Sequence, residues 1–362
     1  MKTLIKFPFV LICIIFFTCT EESFLEHPQP ISFDSNIEDE NARKAPVFDD
    51  LVFQESGFSS FVFYNNITGP DGIHLLNNNK LLVTKEYGGD VGIYLAKRGA
   101  EYDLKDAFST LNLPFDSPDD MLADEAGYVY VADGQARIVF RLNSNGGSPM
   151  PFVTQATTGS VAFNPFGLTI APPGFDGPNV DPGDLIVCDN GFYLPPEDPP
   201  VVQELQALWA VNRYTGTAKA IVQGDNLEGG PIRAGFNSEG TLFVTLNLGP
   251  GEPNKMVSID ANGDITSIKD IVDAPFFAIH PLTDDIYYKI FDLTDEPETG
   301  DGIGHIYRMS KDGTGSTLFA SNVGTRRAGT QDMIFNRQGS TLFVSHRNEK
   351  MVVTIYSNKH NW

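Results

Sequence analysis

Basic residues are scarce in this chain: 25 Lys and Arg stand against 47 Asp and Glu, for a formal net charge of −22. A surface this acidic repels phosphate backbones and anionic membranes, so nucleic acid is not an expected partner. Cysteine is scarcer still, limited to Cys13, Cys19 and Cys188. The first two fall in a signal-like N-terminal segment. Cys188 therefore has no internal partner in the remainder, and disulfides cannot staple the fold. The six histidines (27, 74, 280, 305, 346 and 360) are scattered, with no pair at metal-ligand spacing. There is no Gly-x-Ser-x-Gly elbow, no His-Glu-x-x-His, no Cys-x-x-Cys and no phosphate-binding glycine loop. Helical periodicity of any length is missing too.

The N-terminus has a different character. Met1 to Lys6 is short and basic, and Phe7 to Phe17 is apolar except for Pro8. That run is too short to span a bilayer, which takes about 20 residues, but it suits the core of a signal peptide. Thr18-Cys19 follows, then Thr20-Glu21-Glu22. This resembles a bacterial lipoprotein signal whose Cys19 becomes the acylated first residue of the mature protein, although Phe17 stands where a small residue is usual. The acidic residues after Cys19 are similar to surface-export signals of Bacteroidetes-type lipoproteins. Residues 20–49 are polar and aperiodic and read as a flexible tether. The expected organisation is a signal at 1–19, a tether at 20–49 and one domain at 50–362. The expected location is the outer membrane or surface of a Gram-negative cell, with a secreted or periplasmic protein as the alternative.

What the mature chain does contain is a repeat. Units begin at Pro70, Pro118, Pro165, Pro231, Pro275 and Thr330, each followed by a short apolar strand, a polar turn and a β-rich strand. The second strands align as Leu81-Leu82-Val83, Val129-Tyr130-Val131, Leu185-Ile186-Val187, Leu242-Phe243-Val244, Ile286-Tyr287-Tyr288 and Leu342-Phe343-Val344. A period near fifty with several strands per unit implies propeller blades. The last unit stops soon after Val352-Val353-Thr354-Ile355-Tyr356, and an orphan strand, Ser60-Phe61-Val62-Phe63-Tyr64, precedes the first. Pairing these two segments would close the ring and leave no open inner edge. The fold class is therefore all-β, a six-bladed β-propeller whose last blade is completed by an N-terminal strand.

The segment Pro118-Asp119-Asp120-Met121-Leu122-Ala123-Asp124-Glu125-Ala126-Gly127-Tyr128-Val129-Tyr130-Val131-Ala132-Asp133 resembles an NHL repeat. It resembles equally a blade of the senescence marker protein/gluconolactonase group. That resemblance implies the fold. It also implies a divalent ion held by one Glu, two Asn and one Asp, the Asp coming from a Pro-Asp-Gly-Met type turn that Asp71 and Asp119 match. Phe166-Gly167-Leu168 stands where the family has Asn-Gly-Leu, and the family's Glu-Gly-Pro is missing from the first blade.

Two columns of residues are expected at one mouth of the channel. The entrance to the first strand reads Asp71, Asp119, Phe166, Ile232, Phe276 and Gln331; the exit of the second reads Lys85, Asp133, Asp189, Leu246, Ile290 and His346. Blades six, one and two are polar in both columns, whereas blades four and five are apolar. Converging Asp71, Asp119, Asp133 and Asp189 must be relieved by raised pKa values, by Lys85 or by a divalent ion. Oxygen donors of this kind suit Ca²⁺, Mg²⁺ or Mn²⁺. Asp71, Asp119 and Asp133 are the candidate metal ligands, with Asp119 or Asp133 as a general base. Lys85, Phe166, Asp189, Asn190, Ile232, Phe276, Gln331 and His346 are the candidate ligand contacts. The competing reading gives each aspartate a turn-capping role through backbone amides. Long loops at 191–200, 248–253 and 292–304 would overhang the same face. The expected function is an exported monomeric binding module for a small molecule, carbohydrate or protein, touching membrane only through its lipid. The alternatives are a metal-dependent lactone hydrolase and a scaffold in an outer-membrane assembly.

Overall fold

A computed structural model describes residues 51–362 apart from 112–113, 161, 192–205, 249–252, 272–275, 293–302, 326–329, 348 and 358–361. The signal segment with Cys19, the tether, most of each of the three long loops and Arg326-Arg327 lie outside the described residues. Among the described residues, no helix is long and apolar enough to cross a membrane.

Six sheets make up the domain, antiparallel apart from one short parallel pairing, and each holds one of the sequence units. The strands before the first unit are β1 (Val52–Phe53) and β2 (Phe58–Asn65). The first blade comprises β3 (Pro70–Leu75), β4 (Leu81–Lys85) and β5 (Gly92–Ala96), followed by the short β6 (Ala100–Glu101). Blade two is β7 (Pro118–Ala123), β8 (Val129–Asp133), β9 (Ile138–Asn143) and β10 (Gly146–Thr154). Blade three is β11 (Pro165–Ile170), β12 (Leu185–Asp189), β13 (Ala207–Val211) and β14 (Ala218–Gln223). Blade four is β15 (Gly230–Phe236), β16 (Leu242–Asn247), β17 (Asn254–Ile259) and β18 (Ile265–Ile271). Blade five is β19 (Phe277–Ile279), β20 (Ile286–Asp292), β21 (Ile303–Met309) and β22 (Thr317–Thr325). Blade six holds β23 (Thr330–Phe335), β24 (Thr341–His346) and β25 (Met351–Ser357).

The first strand of every unit lies at one edge of its sheet and contacts the first strands of the neighbouring blades, so β3, β7, β11, β15, β19 and β23 ring the central channel. Closure follows the expected route. β2 pairs antiparallel with β25, setting Val62 opposite Val353 and Ser60 opposite Ile355. Three details differ from a uniform four-strand repeat. Blade six gains β6 as a fifth strand, parallel to β2, with Ala100 opposite Tyr64. Blade one has three strands in its sheet; beyond β5, Ala107 bridges Tyr94 and the amides of Phe108 and Ser109 donate to Ile93 O. Blade five gains β1 as an added outer strand, with Val52 opposite Ser321.

The second strands are apolar on both faces because each is sandwiched between two neighbouring blades. Val129 and Val131 pack against Leu82 and Ile93 of blade one. Tyr130 and Ala132, pointing the other way, join Leu185 and Val187 of blade three. The same two-sided burial repeats around the ring, giving six apolar clusters, one at each blade junction. Each fully buried Val, Leu or Ile contributes about 1.5–3 kcal/mol relative to exposure. Cys188 is fully buried as well, packed with Leu208 and Val244 between blades three and four. Burial pushes its thiol far up, which suits packing and not nucleophilic chemistry.

Near the axis the blades approach so closely that side chains must vanish. A Cβ on Gly72 would sit 2.7 Å from Asp119 O, and one on Gly167 would be driven into the carbonyl oxygen of Ile232. These glycines are what the Pro-Asp-Gly and Pro-Phe-Gly turns provide.

Candidate functional site: an acidic cluster at one mouth of the channel

Along each inner strand, successive residues serve different levels of the channel. The second residue of β3 and of β7 places Asp71 and Asp119 at the mouth where the inner strands begin, here called the upper mouth. Glu86, the residue just after β4, joins them. One carboxylate oxygen from each of Asp71, Glu86 and Asp119 lies within 4.8 Å of the others. Asp71 and Glu86 are buried, at 4% and 7% exposure, so their charges are poorly screened. Burial, followed by the charges of Glu86 and Asp119, holds the Asp71 carboxyl well above the usual carboxylate range. Asp119 is likewise held up, first by burial, although the Gly134 amide pulls it back.

Each member is positioned by the polypeptide. Gly134 N–H donates to Asp119 Oδ2 at 2.8 Å. The Ser117 hydroxyl donates to Glu86 Oε1 at 2.7 Å. The Arg347 guanidinium pairs with Glu86 Oε2 and lies over the Tyr87 ring at 4.2 Å. Among the described residues, three carboxylates against this one cation leave an excess of negative charge in a buried space. Hard oxygen donors so crowded are a suitable set for a divalent cation such as Ca²⁺, Mg²⁺ or Mn²⁺.

The remaining candidates are placed elsewhere. Asp133 accepts hydrogen bonds from Ser117 N at 3.1 Å, Ala136 N at 2.9 Å and Asp116 N at 2.8 Å. Asp189 repeats the arrangement one blade on, accepting from Asn164 N at 2.7 Å, Gly191 N at 3.2 Å and Trp209 Nε1 at 3.0 Å. Both thus clamp the loop entering their own blade, and burial lifts Asp189 to about 6. Neither is in the acidic cluster. Lys85 does not neutralise the carboxylates: its ammonium donates to Gly89 O at 2.5 Å and sits over the Tyr102 ring. Arg347 supplies that charge instead. His346 is fully buried, 3.9 Å from Glu349 Oε2, and burial together with the charge of Lys289 pushes it down to about 3. Asn190 N donates to Asn164 O at 3.0 Å, and its side chain lies against Gly230. Phe166 and Phe276 are half-buried and Ile232 is buried, whereas the side chain of Gln331 lies outside the described residues.

A further polar layer, not anticipated from the sequence, crosses the channel beneath the cluster. It comes from three inner strands: Asp120 on β7, Arg233 on β15 and Asp332 on β23. Arg233 crosses from blade four to Asp120 Oδ1 at 2.6 Å and Asp332 Oδ1 at 3.0 Å. The two aspartates also stitch blades together, since Leu168 N donates to Asp120 Oδ2 at 2.8 Å and Ile73 N donates to Asp332 Oδ2 at 3.0 Å. Burial lifts Asp332 to about 7, with Arg233 pulling down and Asp120 pushing up.

No family model matches this chain. No curated protein matches it either. Solved structures do. A gluconolactonase from Xanthomonas campestris superposes with a TM-score of 0.58 at 13% identity, over 86% of this chain and 97% of that one. A second structure carrying the gluconolactonase name gives 0.56 at 12% identity, over 84% and 94%. Hydrazine synthase from Kuenenia stuttgartiensis gives 0.53 at 14% identity, over 82% and 79%. At such identities the likeness is one of fold. The chain is a six-bladed β-propeller of the gluconolactonase-like architecture.

Proposed function

We propose that the upper mouth is a divalent-cation site, held by Asp71, Glu86 and Asp119, through which the propeller binds a small oxygen-bearing ligand. The observation that carries this reading is the convergence of three carboxylates, two of them buried, with Arg347 as the cation against them. A bound ion would supply positive charge to hold and polarise a ligand oxygen. The chain's own groups do the positioning: Gly134 N–H fixes Asp119, while Ser117 and Arg347 fix Glu86. Beneath them Arg233 bridges Asp120 and Asp332, so in this reading a ligand enters from above. Small molecules and carbohydrates with vicinal oxygens fit this chemistry.

A second reading, hydrolysis of a lactone or ester, is favoured by Asp119. It is a carboxyl whose affinity for a proton burial raises, and an amide holds one of its oxygens, which leaves the other to serve as a general base. Asp133, with three backbone amides on its oxygens, is not suited to that task. The two solved structures named for gluconolactonase make lactones the first compounds to screen. The protein as an exported lipoprotein acylated at Cys19 belongs to the same proposal; loss of acyl-chain labelling in Cys19→Ser would support it, and unchanged labelling would refute it.

The test is elemental analysis of the purified protein beside Asp71→Asn/Glu86→Gln. One equivalent of divalent metal in the parent and none in the variant is the expected result. Equal metal content in both would overturn the site. Lactone turnover that is lost in Asp119→Asn would establish the hydrolase over the binding module.

A further inference from the structure

The inner strands that begin at the acidic cluster end on the opposite face, and there the channel opens again. A cavity of about 310 Å³ lies at this lower mouth, lined by residues of all six inner strands β3, β7, β11, β15, β19 and β23. Its size is at the low end of the ~300–1,000 Å³ typical of small-molecule sites. The Arg233 layer separates it from the upper cluster, since Arg233 lines the cavity while its guanidinium is taken by Asp120 and Asp332.

Its walls differ chemically from the upper mouth. Phe236, Phe277, Ile279 and Met333 supply apolar surface, and no Asp or Glu is among the lining residues. Two donors face this greasy space. His74 Nε2 accepts the Ala123 N–H at 3.0 Å, so the neutral ring carries its proton on Nδ1. Burial, with Arg233 and Arg337 nearby, keeps that ring uncharged. Arg337 stands at the rim, hydrogen-bonded to the Asn77 side chain and ion-paired to no carboxylate among the described residues. In a protein of net charge −22, this makes a cationic, apolar-walled pocket on an otherwise acidic molecule.

We propose that the lower mouth is a second binding site, taking a small monocarboxylate with a flat or aliphatic apolar body. Arg337 holds the carboxylate, His74 Nδ1–H donates to it, and Phe236, Phe277 and Ile279 cover the apolar part. Arginine is suited to carboxylates because its planar fork meets both oxygens. The site is independent of the cation proposed above, being on the far side of the Arg233 layer.

The experiment is fluorescence titration of the full chain with 2-naphthoate and with its neutral counterpart 2-naphthamide, each with and without EDTA. Saturable binding of naphthoate at one site is expected, unaffected by EDTA, with the amide bound roughly tenfold more weakly or worse. Arg337→Met should weaken naphthoate by a similar factor, and Arg337→Lys by less. Arg337 is exposed, so neither change threatens folding. The proposal is overturned by no saturation below about 10 mM, by equal binding of acid and amide, by unchanged affinity in Arg337→Met, or by loss of binding in EDTA. A failed cation test at the upper mouth would leave this result untouched.

Discussion

Replacing Arg233 by Met should be the most damaging single change near the axis, for reasons the geometry makes quantitative. The guanidinium is 13% exposed and satisfies Asp120 and Asp332, which are 6% and 2% exposed. Removing one partner of a buried charge network leaves uncompensated charge behind, at a cost of about 3–5 kcal/mol. Unfolding entropy is roughly 2.1 cal/mol/K per residue, so in a domain of about 300 residues a loss of ~4 kcal/mol lowers Tm by about 6 °C. The cost should also depend on pH. Asp332 already sits at about 7 with Arg233 present, and without that cation it becomes easier to protonate. Arg233→Met should therefore be most costly near pH 9 and much less so near pH 5. Adding Asp120→Asn and Asp332→Asn should recover part of the loss at high pH, though not all, because each carboxylate serves two backbone amides. Urea unfolding of parent, single and triple variants across that range is the assay. A loss below about 1 kcal/mol, or one equal at both ends of the pH range, would refute the buried-network account.

Three further outcomes follow from other residues. His74 and His346 are pushed down to about 3, so the folded state keeps both neutral while the unfolded chain protonates below about 6.5. Stability should fall as pH drops from about 6.5 towards 3, by about 2 kcal/mol per histidine at pH 5. His74→Gln and His346→Gln should each flatten that slope in urea midpoints, and an unchanged slope would contradict the assignment. Gly167→Ala should cost on the order of 1–3 kcal/mol, read by thermal denaturation, because its Cβ meets the Ile232 backbone, which cannot rotate away. Asp133→Ala should lose a few kcal/mol by orphaning three amides while leaving metal content unchanged, since Asp133 lies outside the cluster.

The fold was legible because the second strands of all six units carry an apolar run that only a strand buried on both faces needs. Closure was legible for the same physical reason: Ser60–Tyr64 had no partner nearby, and the last unit lacked a strand. The three-stranded sheet of blade one was not, because its fourth segment keeps only a single bridge at Ala107. The entrance column of the sequence reading contains Asp71 and Asp119, which meet in the cluster. The exit column holds Lys85, Asp133 and His346, whereas the next position carries Glu86, Gly134 and Arg347, which serve the cluster. Successive strand residues point in opposite directions, so a slip of one exchanges loop clamps for mouth residues. The same holds on the inner strands, where Asp120, Arg233 and Asp332 follow directly after Asp119, Ile232 and Gln331. The third position of the six units carries two acids and one arginine among one apolar and two glycine residues.

The central claim is that Asp71, Glu86 and Asp119 form one cation site. A crystal of the protein soaked in Mn²⁺ and measured for anomalous scattering tests it most directly. A single strong peak at the upper mouth, within about 2.0–2.6 Å of an oxygen from each of the three carboxylates, is expected. An empty cluster, with the carboxylates drawn together by shared protons or by Arg347 alone, would contradict it.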